Sequence, residues 1–284
     1  MTINKNTRFL IIGLGLLGGS YARGLTEKGY YVEAITKNQK DCDFALEHEI
    51  VKKCTTEVDA DMIKNADVII FALYPDVFIS WIEQYGELIR PGTVITDVTG
   101  VKGCIVDKIQ GMLPPMVEFI SAHPMAGREV YGIENSDERI FYGANYLVVP
   151  TNRNTDEGIE ACKRIGEILG FGRISEISPE SHDEMIGFVS QLTHCIAVSL
   201  MNCYEQERLE RYTGDSFRDL TRIAKINETM WSELFLLNKD ALLSQMDLFK
   251  KHFDDLYDYL KNDDREGMME MMRISTKRRK QFDK

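Results

Sequence analysis

The stretch Phe9-Leu-Ile-Ile-Gly13-Leu14-Gly15-Leu16-Leu17-Gly18-Gly19-Ser20 decides the fold of this chain. Its first four residues form a short, branched, apolar run, as a strand buried on both faces of a parallel sheet requires. Glycines then fall at 13, 15 and 18. That spacing suits a turn that is tight, lets the backbone approach a pyrophosphate closely, and lets the next helix lie close on its strand. A helix from Ser20 to Leu25 would direct its N-terminal amides at the phosphates. Lys5 and Arg8 ahead of the run give it the outline of a secretory signal, but the glycine placement argues against an h-region.

Working outward, short apolar runs alternate with helix-length stretches to about residue 150. Strands are expected at 9–12, 31–35, 68–73, 94–96, 119–122 and 146–149, with a crossover helix at 156–169 and an edge strand at 173–177. This is the pattern of a doubly wound α/β domain. After Ser178-Pro179 the character changes: residues 180–281 contain no proline, and apolar residues recur at helical spacing, as in Met185, Phe188, Val189, Leu192, Ile196 and Leu200. Two domains are expected, a Rossmann-type dinucleotide-binding domain over 1–175 and an all-α domain over 176–284. A length of 284 residues is ample for two cores.

Composition excludes several classes. Lys and Arg number 34 against 45 Asp and Glu, a net charge of −11, so the molecular field repels nucleic acid and anionic membranes. The cationic run Lys277, Arg278, Arg279 and Lys280 suits the end of a helix. No stretch reaches the roughly 20 apolar residues of a membrane span. The six cysteines form no Cys-x-x-Cys pair and none has a His at zinc-ligand spacing, which predicts six reduced thiols in a cytoplasmic protein without a metal site.

The residue closing the second strand sets cofactor choice, because an acid there binds the ribose hydroxyls of NAD. This chain has Thr36-Lys37 instead, which lifts the repulsion of a 2′-phosphate and adds an attraction. The expected cofactor is NAD(P), with NADP favoured and NAD left open. Glu33 is the rival acid, but it lies inside the strand rather than at its end. Leu73 and Tyr74, closing the third long strand, complete the expected cofactor contacts. In Ser121-Ala-His123-Pro-Met-Ala-Gly127, a histidine ends a strand where open α/β sheets bind ligands. Its near-neutral pKa suits it to take a proton from an alcohol losing hydride; a structural loop histidine is the competing reading.

The glycine turn, Asp97-Val-Thr-Gly-Val-Lys102, His123-Pro-Met-Ala-Gly-Arg-Glu129, Ser190-Gln-Leu-Thr-His194 and Phe217-Arg-Asp-Leu-Thr-Arg222-Ile-Ala, followed by Met230-Trp231, together closely resemble the prephenate and arogenate dehydrogenase family over nearly the whole chain. The resemblance implies oxidative decarboxylation of prephenate to 4-hydroxyphenylpyruvate with hydride transfer to NAD(P)+, in a homodimer. It implies that His123 bonds the ring hydroxyl, Arg222 holds a substrate carboxylate, Ser190 and His194 contact substrate from the second domain, Glu129 and Asp183 sit at the mouth, and Trp231 forms an aromatic wall. Many members carry a Ser at the position of Gly100, joined to the catalytic His, so either Thr99 or a water is expected to substitute. The short C-terminal remainder leaves no room for a regulatory ACT domain. Three alternatives stand beside this reading: arogenate as substrate, a hydroxyacid dehydrogenase, for which the expected Lys is missing from the first long helix, and a non-catalytic dinucleotide sensor, which would need neither His123 nor Arg222.

Overall fold

The computed structural model describes residues 1–128 and 130–283. Six parallel strands form the main sheet: β1 Arg8–Ile12, β2 Tyr31–Ile35, β3 Lys53–Thr55, β4 Val68–Phe71, β5 Val94–Asp97 and β6 Glu118–Phe119. Their spatial order is β3-β2-β1-β4-β5-β6, the doubly wound order whose direction reverses beside β1 and opens a crevice at the strands' carboxyl ends. Side-chain alternation explains why the strands are apolar throughout. Phe9, Ile11, Val68 and Ile70 enter one core, while Leu10, Ile12, Ile69 and Phe71 enter the other. The first core is covered by the helices α1 Leu16–Glu27 and, later in the chain, Asp156–Leu169; the second lies under helices at Ala60–Asn65, Pro75–Tyr85 and Val106–Met112. Each fully buried Ile or Phe contributes about 1.5–3 kcal/mol.

In chain order the remaining helices of this half are α2 Gln39–Glu47, α3 Ala60–Asn65, α4 Pro75–Tyr85, α5 Val106–Met112 and α6 Asp156–Leu169. The fifth expected strand, 119–122, is divided. After β6 the chain leaves the main sheet, with Ile120 N still donating to Ile95 O at 2.9 Å, and continues as β7 Ser121–Pro124 in a second sheet with β8 Asn145–Val149 and β9 Arg173–Glu176. His123 therefore ends no strand of the main sheet; it lies within β7, opposite Leu147. β3 was not legible because Lys-Cys-Thr carries no apolar run. α1 starts four residues earlier than expected, since Gly18 and Gly19 are helical where close packing outweighs their poor propensity.

Cys42 on α2 and Cys54 on β3 are paired as a disulfide, with Cα atoms 5.5 Å apart. This corrects the expectation of six thiols; Cys104, Cys162, Cys195 and Cys203 remain free. The pairing depends on how α2 packs on β3, which spacing in the sequence does not encode.

In the helical half, Ser178 caps α7 Pro179–Ile186 by accepting from Ser181 N, with Pro179 in the first turn. The helix continues through a π-helical stretch, Gly187–Leu192, into α8 Thr193–Asn202. The continuous helix Pro179–Asn202 has an 18-residue window of mean hydropathy 1.3, long and apolar enough by composition to cross a membrane. That corrects the expectation of no such segment, by length and composition only; the apolar run is interrupted by the polar residues His182, Asp183, Ser190 and His194. The rest comprises α9 Asp215–Thr221, α10 Glu228–Leu237, α11 Lys239–Lys261 and α12 Arg265–Arg279. Asn238, before α11, donates to the Asp183 carbonyl at 2.9 Å and to Gln191 Oε1 at 2.7 Å, which pins α7 and the π turn to the start of α11.

Candidate active site

The glycine turn between β1 and α1 fits a dinucleotide phosphate on steric grounds. Gly13 has φ +96°, and a Cβ there would come within 2.6 Å of Ala72 O. At Gly18 a Cβ would lie 1.9 Å from Gly13 O, so helix and turn meet only through glycine. Gly15, by contrast, is exposed and has nothing within 4 Å of a built Cβ, which leaves open space over the N-terminus of α1. No side chain caps that terminus, so its amides remain for an anion. Leu14 is buried and offers only backbone, Leu16 and Leu17 are half-buried, and Leu73 lies against Gly13. Tyr74 is 46% exposed at the cap of α4.

At the end of β2, Thr36 is buried and its amide donates to Thr55 O at 3.0 Å, while Lys37 is exposed beside it. Glu33 is buried and pairs with Arg8 at 3.3 Å, with the Tyr31 hydroxyl 3.4 Å away. Arg8 begins β1, so the Glu33 carboxylate is turned to the edge of the sheet opposite the crevice.

Across the crevice, β5 ends in a buried ionic floor. Asp97 accepts from Ser121 Oγ at 2.6 Å, Ala122 N at 3.0 Å, Thr99 N at 3.0 Å and Lys102 Nζ at 2.9 Å. Lys102 is wholly buried and also donates to Ala122 O at 2.6 Å and to Thr99 Oγ1 at 3.2 Å. Burial pushes the Lys102 ammonium below the ordinary lysine range, against the opposing pull of Asp97. The floor ties β7 to β5 and so fixes where His123 stands. The Thr99 hydroxyl donates to the Asp97 carboxylate and accepts from Lys102. With its one proton spent there, Thr99 is a member of the floor and not the hydroxyl that pairs with His123; that expectation is corrected.

His123 is half-buried, and its Nδ1 lies 2.9 Å from Nε2 of His182 on α7. Burial first, then His182 and Lys102, hold His123 well below the usual histidine pKa. His182, wholly buried, is also lowered by burial, with Asp183 opposing. The Asp183 carboxylate accepts from His182 Nδ1 at 2.7 Å, Lys102 N at 2.9 Å and Gly103 N at 2.7 Å. Asp183 thus joins the two halves of the chain beside His123, rather than reaching out at the mouth. His182 was missed by the sequence reading; its adjacency to Asp183 in Ser-His-Asp was the available signal.

A second group lies on the helical side. His194 Nδ1 donates to Ser190 O at 2.9 Å, and its ring packs on Trp231 with centroids 3.7 Å apart. Ser190 is in the π turn, which widens the helix there. Arg222 is exposed in the short 3₁₀ turn Arg222–Ala224 that packs along α8. Helix α10 bridges the halves: a Cβ at Gly100 would touch Leu234 at an ordinary 3.5 Å, and Glu233 accepts from Asp76 N at 3.4 Å. Glu129 lies outside the described residues. Among the described residues no cluster of three His, Cys, Asp or Glu could hold a metal.

Comparison with known proteins agrees with this two-part crevice. Residues 21–173 match the family description "prephenate dehydrogenase, nucleotide-binding domain", and residues 178–274 match "prephenate dehydrogenase, dimerization domain". Prephenate dehydrogenase of Bacillus subtilis (strain 168) is 28% identical over 91% of this chain and 71% of that protein. Cyclohexadienyl dehydrogenase of Zymomonas mobilis is 27% identical over 98% of this chain and 96% of that protein. The crystal structure of prephenate dehydrogenase from Aquifex aeolicus, in complex with hydroxyphenyl propionate and NAD+, superposes with a TM-score of 0.90 at 26% identity. It covers 99% of this chain and 100% of its own.

Proposed function

The chain belongs to the prephenate dehydrogenase family, and from that membership we propose how its residues divide the work of oxidising prephenate with loss of CO2. The enzyme is a nicotinamide-dependent oxidoreductase of tyrosine biosynthesis. The bound nicotinamide supplies the hydride acceptor. The glycine turn and the N-terminus of α1 would hold its pyrophosphate, and Thr36 and Lys37 its ribose end, with Lys37 favouring a 2′-phosphate. Leu73 and Tyr74 would line its path along β4.

The chemistry at the substrate falls to His123. As hydride leaves the ring carbinol, the hydroxyl proton must go to a base, and His123 presents a ring nitrogen kept unprotonated by burial. Arg222 pairs with a substrate carboxylate through its planar fork, Ser190 and His194 bond the substrate from the helical side, Glu129 serves at the mouth, and Trp231 walls the site. Release of CO2 makes the ring aromatic and the step irreversible. The observation that carries this reading is the half-buried His123 set beyond the carboxyl end of β5, with only one ring nitrogen engaged in the hydrogen bonds described.

We further propose that the nucleotide-binding unit is residues 1–175 and the helical unit 176–284, and that two copies associate through the latter in the cytoplasm. The exposed Phe249, Phe253, Tyr257 and Leu260 on α11, with Met201 on α8, supply an apolar surface of the kind a dimer covers. The test is absorbance at 340 nm with prephenate or arogenate, each with NAD+ or NADP+. Growth with prephenate, and faster with NADP+, is expected. Growth only with arogenate would reassign the substrate, and silence in all four pairings with cofactor bound would indicate a sensor.

A further inference from the structure

One buried titratable group beside the base, His182, has no part in the reaction as described. It is the only wholly buried histidine among the described residues, it comes from the helical half, and it is aimed at His123. Its two ring nitrogens have different partners. Nδ1 is 2.7 Å from Asp183 Oδ1, and Nε2 is 2.9 Å from His123 Nδ1. An ionised carboxylate only accepts, and Asp183 is already fixed by the amides of Lys102 and Gly103. The approach is close enough that a Cβ at Gly103 would fall 2.9 Å from Asp183 Oδ2. The proton of a neutral His182 therefore sits on Nδ1, leaving a lone pair on Nε2 that can only accept. His123 must then carry its proton on Nδ1.

We propose that His182, oriented by Asp183, is a positioning residue that locks His123 in the Nδ1–H tautomer and so presents an unprotonated Nε2 to the substrate hydroxyl. This rests on the assignment of His123 as the base, and it adds the device that makes one nitrogen the base. Without it a neutral imidazole divides between two tautomers, and the ring can turn. Burial of both rings beside Lys102 supports neutrality of the pair, since a second positive charge there is opposed. The groups facing the two rings are Lys102 and Asp97 from the β5–α5 segment and Asp183 from α7. The chain of carboxylate, orienting imidazole and acting group follows the logic of an oriented catalytic base.

The wild-type protein tests this without a variant. Two-bond ¹⁵N–¹H correlation spectra of histidine-labelled protein, with the His123 signals identified by their loss in His123→Asn, should show a protonated Nδ1 and a bare Nε2 at neutral pH. A proton on Nε2 would overturn the proposal, whatever the enzyme turns over. His182→Leu should lower kcat on the order of 10²-fold, leave NADP+ affinity by fluorescence titration unchanged, and move the acid limb of kcat/KM downward, because the neutral His182 Nε2 that accepts from His123 Nδ1 no longer favours the protonated ring. His182→Gln, which restores a hydrogen-bonding atom near Nε2, should recover most of the rate. A limb and kcat unchanged in both variants would refute the positioning role. Wild-type silence toward prephenate with the tautomer as stated would instead refute the base assignment and leave the locking intact.

Discussion

Replacing Lys102 by Met tests whether the ionic floor beneath His123 is a coupled unit. Lys102 and Asp97 are both 0% exposed in their side chains, and the ammonium donates to Asp97 Oδ2, Ala122 O and Thr99 Oγ1. Met matches the aliphatic stem in length, so packing is nearly kept and the change is electrostatic. Asp97 would keep its bonds from Ser121, Ala122 and Thr99 but lose its counter-charge. Removing one partner of a buried pair costs about 3–5 kcal/mol, because the other charge is stranded. With a urea m-value of about 2–3 kcal/mol/M, the midpoint should fall by about 1–2.5 M. Adding Asp97→Asn removes the stranded charge, so the double variant should be more stable than the sum of the two singles. Unfolding can be followed by Trp81, which packs edge-on to Phe71 with centroids 5.0 Å apart, in a Trp231→Phe background. A midpoint shift below about 0.3 M, or strict additivity in the double variant, would refute the coupling.

Four further outcomes are expected. His123→Asn should leave NADP+ affinity intact and lower kcat by about 10²- to 10⁴-fold; turnover at the wild-type rate would end its role as base. In the wild type, kcat/KM should fall only as pH drops below the ordinary histidine range, since burial lowers the His123 pKa and the neutral form is the active one; a limb above pH 7 would contradict this. Arg222→Ala should raise the KM for prephenate by about 10- to 10²-fold, the worth of a hydrogen bond to a charged group, and a change confined to cofactor affinity would reassign the residue. Thiol titration of the denatured, unreduced protein should find four free thiols, Cys104, Cys162, Cys195 and Cys203; six would show that Cys42 and Cys54 are unpaired.

Local signals carried much of the architecture. Near-continuous branched runs at 9–12, 31–35 and 68–71 specify strands that hide both faces, and glycines at 13, 15 and 18 specify a turn whose steric demands are met within ten residues. The helix Asp156–Leu169 was legible to the residue because Thr155 caps its start and Gly170, at φ +82°, ends it. His123 stood out because its neighbours formed a recognisable segment. The sequence by itself thus determined most of the strands and the glycine turn, and singled out His123 as the candidate base.

Tertiary structure decided what depended on contacts between distant residues. The exit of the chain from the main sheet at Ile120 follows from pairing with β8, some 25 residues later. The assignment of Thr99 to the floor follows from Asp97 and Lys102 sharing a fully buried space, where each donor must find an acceptor. The Cys42–Cys54 pairing follows from how α2 meets β3. The His123–His182–Asp183 chain joins residues 59 apart in sequence, and only the docking of α7 beside β7 brings the two imidazoles within a hydrogen bond. Periodicity records which way a side chain faces along its own element, whereas a hydrogen bond between elements is fixed by how their backbones pack.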